Sequence, residues 1–180
     1  MPVTLHINMR ALFAIALMVL GAKSAAGGTP DLAEAWNAPS IAWNDLRSGI
    51  PEATKSGKTV MMVFHASWCS ACKKYREVFK DAGVVAASRD LVMILVDADE
   101  DKVANGAFAP DGTYVPRTIF LTPDGDVRSD LVSKTDPEHP HSFDVDTPED
   151  VRAQMLKARG EQEPGAPTPI GPSPDERAEN

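Results

Sequence analysis

The two cysteines of this 180-residue chain lie three positions apart, in Cys69-Ser70-Ala71-Cys72, directly after Trp68. Residues 59–65 before them form a continuous apolar run, and residues 72–81 after them carry Tyr75, Val78 and Phe79 at helical spacing. A cysteine pair that opens a helix can bring its sulfurs together across the first turn. The unpaired N–H groups and the positive dipole end at that point favour an anion, and a thiolate is one. Lowering a thiol pKa from about 8.5 to about 7 raises the thiolate fraction at neutral pH from a few per cent to about half. Cys69, one step outside the helix, is therefore expected to be an exposed nucleophile, and Cys72, inside the first turn, the resolving thiol. Lys73 and Lys74 add positive charge nearby and are expected to point to solvent.

Two other chemistries compete with redox exchange. A structural bridge across a four-residue loop would contribute only about 2 kcal/mol, against about 4.7 kcal/mol for a hundred-residue loop. A zinc or copper(I) site built from Cys69, Cys72 and His65 has suitable donor types. The strand-to-helix context favours redox chemistry over both.

The elements that must position this pair follow from hydrophobic pattern and turn residues. Residues 40–56 read as a helical lead-in with Ile41, Trp43, Leu46 and Ile50 on one face, which Gly49-Ile50-Pro51 should break or kink. Residues 59–65 read as a buried strand, 83–88 as a second helical piece, 91–96 as another buried strand and 117–121 as a third. Pro123-Asp124-Gly125 marks a turn, after which residues 127–132 would be the return strand of a hairpin. The last helix has Thr147 as N-cap, Pro148 at its first position, Glu149 and Asp150 in its first turn, and Gly160 at its end. The expected architecture is α/β, three layers around a mixed central sheet.

These motifs support a resemblance. Trp43-Asn44-Asp45-Leu46, Ser67-Trp68-Cys69-Ser70-Ala71-Cys72-Lys73, Pro110-Asp111-Gly112-Thr113-Tyr114-Val115-Pro116-Arg117 and Phe120-Leu121-Thr122-Pro123-Asp124-Gly125 resemble the thioredoxin superfamily. Within it they are similar to the small single-domain thioredoxin-like proteins of the endoplasmic reticulum, the anterior-gradient branch. The similarity runs from about residue 41 to about residue 159. It implies a thioredoxin-like fold and a thiol–disulfide oxidoreductase with Cys69 as nucleophile and Cys72 as resolver. It also implies a cis Val115–Pro116 bond, a feature largely confined to proline. By the same resemblance, the Val115 backbone pairs with an extended substrate segment, and Trp68, Tyr114, Pro116 and Arg117 shape the surface around it. One departure concerns proton transfer. Many thioredoxin-like enzymes bury a carboxylate six residues before the nucleophile, where this chain has Val63. His65 then becomes a candidate proton shuttle, against the plainer reading of an exposed residue at a strand end.

The remaining candidates favour structural readings. Asp97, Asp99, Glu100 and Asp101 lack the ordered spacing of a calcium loop and read as a solvated loop. His139 and His141 read as exposed loop residues, and Trp36 and Trp43 as packing residues. No metal site and no prosthetic cofactor is assigned. Phosphate loops, serine triads and nucleotide fingerprints are absent.

The ends differ from the middle. Residues 1–26 contain no Asp or Glu, and residues 11–22 are an unbroken apolar and small run. Those 12 residues fall well short of the roughly 20 a membrane helix needs, and with Arg10 before and Ser24-Ala25-Ala26 after they match a secretory signal. Residues 161–180 hold five prolines and one large aliphatic, Ile170, and read as a disordered tail. The expected domain is residues 27–160. The net charge of −8 becomes −10 without residues 1–26, since Arg10 and Lys23 go with them. That balance excludes nucleic acid as a partner.

The chain is thus expected to be an exported monomer that exchanges disulfides with protein thiols or glutathione. With no retention signal of the Lys-Asp-Glu-Leu type at its end, periplasm is the expected location, secretion or the endoplasmic reticulum the alternatives. The competing readings are a partner-binding, chaperone-like module and a metal-delivery protein.

Overall fold

A computed structural model describes residues 30–160. The expected signal segment and the expected tail lie outside the described residues. Four strands form one mixed sheet in the order β1-β3-β2-β4. They are β1 (Trp43–Asn44), β2 (Val60–His65), β3 (Val92–Asp97) and β4 (Arg117–Leu121). β3 runs parallel to both β1 and β2, and β4 runs antiparallel to β2.

β2 is central, paired along its length on both sides, and all six of its residues are buried. Alternate side chains go to opposite faces of the sheet, so both faces must be covered. Met61 and Val63 join Met93, Leu95 and Phe120 on one face. Val60, Met62 and Phe64 join Val92, Ile94, Val96, Ile119 and Leu121 on the other. This two-sided burial explains why residues 59–65 and 91–96 read as continuous apolar runs.

Among the described residues six helices cover the faces: α1 (Pro30–Ala35), α2 (Leu46–Ser56), α3 (Ser70–Val78), α4 (Ala82–Ser88), α5 (Lys102–Ala107) and α6 (Glu149–Ala158). The first core gathers Trp36 after α1, Tyr75 and Val78 of α3, Val84 of α4, and Val151 and Met155 of α6. The second takes Ala53 of α2 and Ala104 of α5. The expected three-layer arrangement is present.

Several expectations need correction. Residues 40–56 are not one helix: β1 comes first, and Asp45 then caps α2, its Oδ1 accepting the Ser48 N–H at 2.7 Å. α2 also continues through Pro51. Burial of Gly49 and Ala53 against the sheet offsets the proline's missing bond. A Cβ at Gly49 would lie 2.5 Å from Ile94 Cδ1, so glycine is needed there for close approach of helix and strand. Residues 127–132 do not form a hairpin strand. Only a Leu121–Val127 bridge and the Arg128 N–H to Phe120 O bond form before the chain turns to bury Leu131 in the first core. The cap of α6 is also shifted: Pro148 occupies the cap position, while Thr147 N–H donates to Asp144 Oδ1 at 3.2 Å. Gly160, at φ 80°, follows the end of that helix as expected. The acidic run is not simply a solvated loop, since Asp101 caps α5 by accepting the Ala104 N–H at 2.8 Å. α1 and α5, each six residues long, are too short to show periodicity.

Candidate active site

β2 delivers the chain to the site and α3 starts there. Cys69 has extended backbone, φ −72° and ψ 110°, and is the N-cap of α3. Its Sγ accepts the Cys72 N–H at 3.0 Å, the charge-stabilising contact expected of a helix start. Cys69 and Cys72 are joined in a disulfide with their Cα atoms 5.2 Å apart.

The expectation of an exposed Cys69 is overturned. In the oxidised state Cys69 is 4% exposed and Cys72 3%, so exposure does not distinguish the two. The cover over Cys69 is the loop before β4, whose Val115 O lies 3.6 Å from Cys69 Sγ. A sulfur in a disulfide has no proton to donate, so this is a packing contact until the pair is reduced. The Val115–Pro116 bond is cis. Val115 is half-buried and Pro116 buried, and with Ala71, Tyr114 and Phe143 they line a groove of about 480 Å³. Trp68 stands out at 69% exposure beside the pair. Its Nε1–H donates to Asp99 Oδ2 at 2.7 Å, so the acidic run positions this ring.

On the other side of Cys72 lies a second pocket, of about 330 Å³. It is lined by Trp36, His65, Ala66, Cys72, Lys73 and Arg76, among others. The reading of His65 as an exposed strand-end residue is wrong: it is 3% exposed, and its ring centroid is 5.5 Å from that of Trp36. Its Nε2 is buried without a hydrogen-bond partner among the described residues. Burial holds its pKa below the ordinary histidine value, against the opposing pull of the Asp97 carboxylate. Val63 packs in the same cluster as both cysteines, so an aliphatic group fills that position.

Arg117 does not meet the groove. It is fully buried, and it shapes the loop from beneath. Its Nη1 donates to Tyr114 O at 2.8 Å, its Nη2 to Asn105 Oδ1 at 2.7 Å and Asn105 O at 3.1 Å, and its Nε to Phe108 O at 3.1 Å. The guanidinium also lies 4.3 Å over the Phe64 ring. Tyr114, half-buried, donates its hydroxyl proton to Asp111.

His141, read from the sequence as exposed, is buried, with Nδ1 3.0 Å from Asp111 Oδ1. Burial pushes the Asp111 carboxyl up, but the Tyr114 hydroxyl and the His141 ring outweigh it and hold the group below the usual carboxylate range. His139 is the exposed histidine of the pair, beside Asp136 at 3.0 Å and edge-on to Tyr114 at 4.8 Å. Lys73 and Lys74 are exposed as expected, and Lys74 pairs with Asp146 at 3.1 Å. Trp36 and Trp43 are core residues, as read. Phe143, Asn105 and Asp111 were missed because each acts through a partner distant in sequence.

A redox-type cysteine pair at a helix start, opposite a cis proline on a mixed sheet, defines the thioredoxin class. Residues 42–123 match the family described as thioredoxin-like. The chain is 31% identical to anterior gradient protein 1 of Xenopus laevis over 138 residues, 73% of this chain and 71% of that one. This chain belongs to the thioredoxin-like family, and within it is a relative of the anterior gradient proteins. It is also 30% identical to anterior gradient protein 3 of Xenopus tropicalis over 98 residues, 52% of this chain and 57% of that protein. A protein disulfide-isomerase of Hordeum vulgare is 39% identical over 72 residues, 39% of this chain and 14% of that protein. The chain thus spans a little over half of one such relative and a small part of another.

Proposed function

We propose that this protein is a thiol–disulfide oxidoreductase acting on protein disulfides or glutathione. The observation that carries the reading is the Cys69–Cys72 pair at the start of α3, with the Cys72 N–H on Cys69 Sγ and the Val115 carbonyl beside it. In the reduced protein the Cys69 thiolate attacks a substrate disulfide, forming a mixed disulfide and releasing one substrate thiol. Cys72 then loses its proton and attacks Cys69 Sγ. The second substrate thiol leaves, the Cys69–Cys72 disulfide forms, and the substrate has gained two electrons. Run in reverse, the site oxidises dithiols. Cys69 is the attacking thiol because it lies outside the helix beside Val115, Pro116 and the exposed Trp68. An extended substrate segment would pair with the Val115 backbone, with Tyr114 along the groove.

Ser70-Ala71 supplies no histidine between the cysteines to stabilise the thiolate, which favours reductase or isomerase activity. Residues 1–26 support export, with the periplasm as the favoured compartment. The acidic charge and single domain favour a monomer acting on proteins rather than nucleic acid.

Insulin reduction tests the mechanism. Cys69→Ser is expected to abolish it, and an active variant would sink the assignment. Cys72→Ala is expected to trap partners as mixed disulfides, which identifies the substrates. Equilibration with glutathione gives the direction, a potential near about −270 mV marking a reductant and one near about −120 mV an oxidant.

A further inference from the structure

The resolving step leaves one proton to be placed. Cys72 is buried, so its thiol needs an acceptor before it can attack Cys69 Sγ. Val63 offers none. Tyr75 shares its hydroxyl with Thr118 at 2.9 Å, and burial pushes its own pKa up. Lys73 is exposed to solvent. His65 differs from all three. It lines the same pocket as Cys72, is 3% exposed, and its buried Nε2 lacks a partner among the described residues. A pocket of about 330 Å³ has room for water, which occupies roughly 30 Å³ per molecule.

We propose that His65 accepts the Cys72 proton through this pocket and so times the resolving step. The proposal rests on the oxidoreductase reading above. In balance, the Cys72 S–H bond breaks and its proton passes through pocket water to His65 Nε2. The Cys72 thiolate forms the new S–S bond with Cys69, the mixed disulfide breaks, and the leaving substrate sulfur takes up a proton from solvent. His65 then returns its proton to water at the pocket mouth.

The groups around the ring come from three directions, two of them charged. Asp97 and Asp99, at and after the end of β3, favour the imidazolium. Lys73 and Arg76, on α3, line the pocket and favour the neutral ring. Trp36 presents an apolar face. Burial is the largest influence, so the resting imidazole is neutral and able to accept.

The test is the reaction of the reduced full-length protein with 5,5′-dithiobis(2-nitrobenzoate) under stopped flow. The first equivalent of thionitrobenzoate reports attack by Cys69 and the second reports resolution by Cys72. His65→Gln, which is polar and does not titrate, is expected to leave the first phase within about twofold. It should slow the second roughly tenfold to a hundredfold at pH 7, at or below the lower end of the range for a positioned acid–base group. His65→Phe, which keeps a ring against Trp36, should do the same. The pH profile carries the distinction from a packing role. The wild-type second phase should stay level from neutral pH down to below about 6.5 and fall as the ring protonates. In the variants it should rise about tenfold per pH unit, as direct loss of a thiol proton requires. An unchanged second phase, or equal slowing of both phases with an unaltered profile, overturns the role of His65. A wild-type protein with no first phase overturns the oxidoreductase reading itself, and this proposal with it.

Discussion

Cys69 and Arg117 act in opposite ways at the two sides of one loop. Cys69 touches the Val115 carbonyl from the outside, while Arg117 holds the same loop from within through Tyr114 O. Among the described residues no carboxylate is bonded to the buried guanidinium, and burial pulls its pKa down. Four carbonyl-type oxygens from α5, its C-cap and the loop satisfy it instead. Removing the donors leaves those buried oxygens unpaired. Each such group costs on the order of 1–3 kcal/mol, so Arg117→Met is expected to lower stability by about 3 kcal/mol in urea denaturation. Arg117→Lys should recover little, because a point charge cannot span three directions. A variant with an unchanged urea midpoint would show that the buried fork contributes nothing net.

Among the elements, the contact of α2 with β3 is tightly constrained. Gly49 lets the helix backbone approach Ile94, and a Cβ there meets two Ile94 side-chain carbons at 2.5 Å. Helix propensity alone would favour alanine by up to about 1 kcal/mol, whereas overpacking a buried contact costs about 1–3 kcal/mol. Ile94 is fully buried and has nowhere to move, so overpacking should win. Gly49→Ala is expected to destabilise by about 1 kcal/mol, and adding Ile94→Val should recover part of the loss. Additive losses in the double mutant would place the cause elsewhere in α2. The same element shows why proline was a poor guide: Pro51 removes one bond, but the buried face of α2 keeps the helix in place.

At the scale of the whole molecule, acid should act in two separate windows. The unfolded chain takes up a proton at His65 near pH 6.5, whereas burial makes the fold resist it. Above that pH both states hold a neutral ring and there is no effect. Below it the unfolded state binds more protons, so stability falls as pH falls toward the lower folded value. Asp111 and Asp130 act in the same direction at lower pH, because both are likewise held low in the fold, Asp130 at about 2 beside Arg128. Their contribution is intact at neutral pH and is lost only below about pH 4. Urea midpoints for the oxidised protein should therefore decline between pH 7 and 5.5. His65→Gln should flatten that upper decline and leave the acid limb in place. An equal decline in the variant would rule out His65 as its source.

The chemistry of the chain was legible in local sequence. The spacing of Cys69 and Cys72, the apolar strand before them and the helix after them depend on near neighbours, and near-neighbour geometry is what periodicity encodes. The two-sided sheet followed from continuous apolar runs in the same way, and the cis Val115–Pro116 bond came with the family resemblance. The tertiary structure alone decided the surroundings of these residues. The cover on Cys69 comes from a residue 46 positions away, and the anchor of Trp68 from one 31 positions away. The burial of His65, the partners of His141 and the inward turn of Arg117 depend likewise on which distant segments pack against them. Two-residue β1 and the six-residue helices α1 and α5 are held by those long-range contacts. Their own sequences carry too few residues for a periodic signal, so only the assembled core could place them.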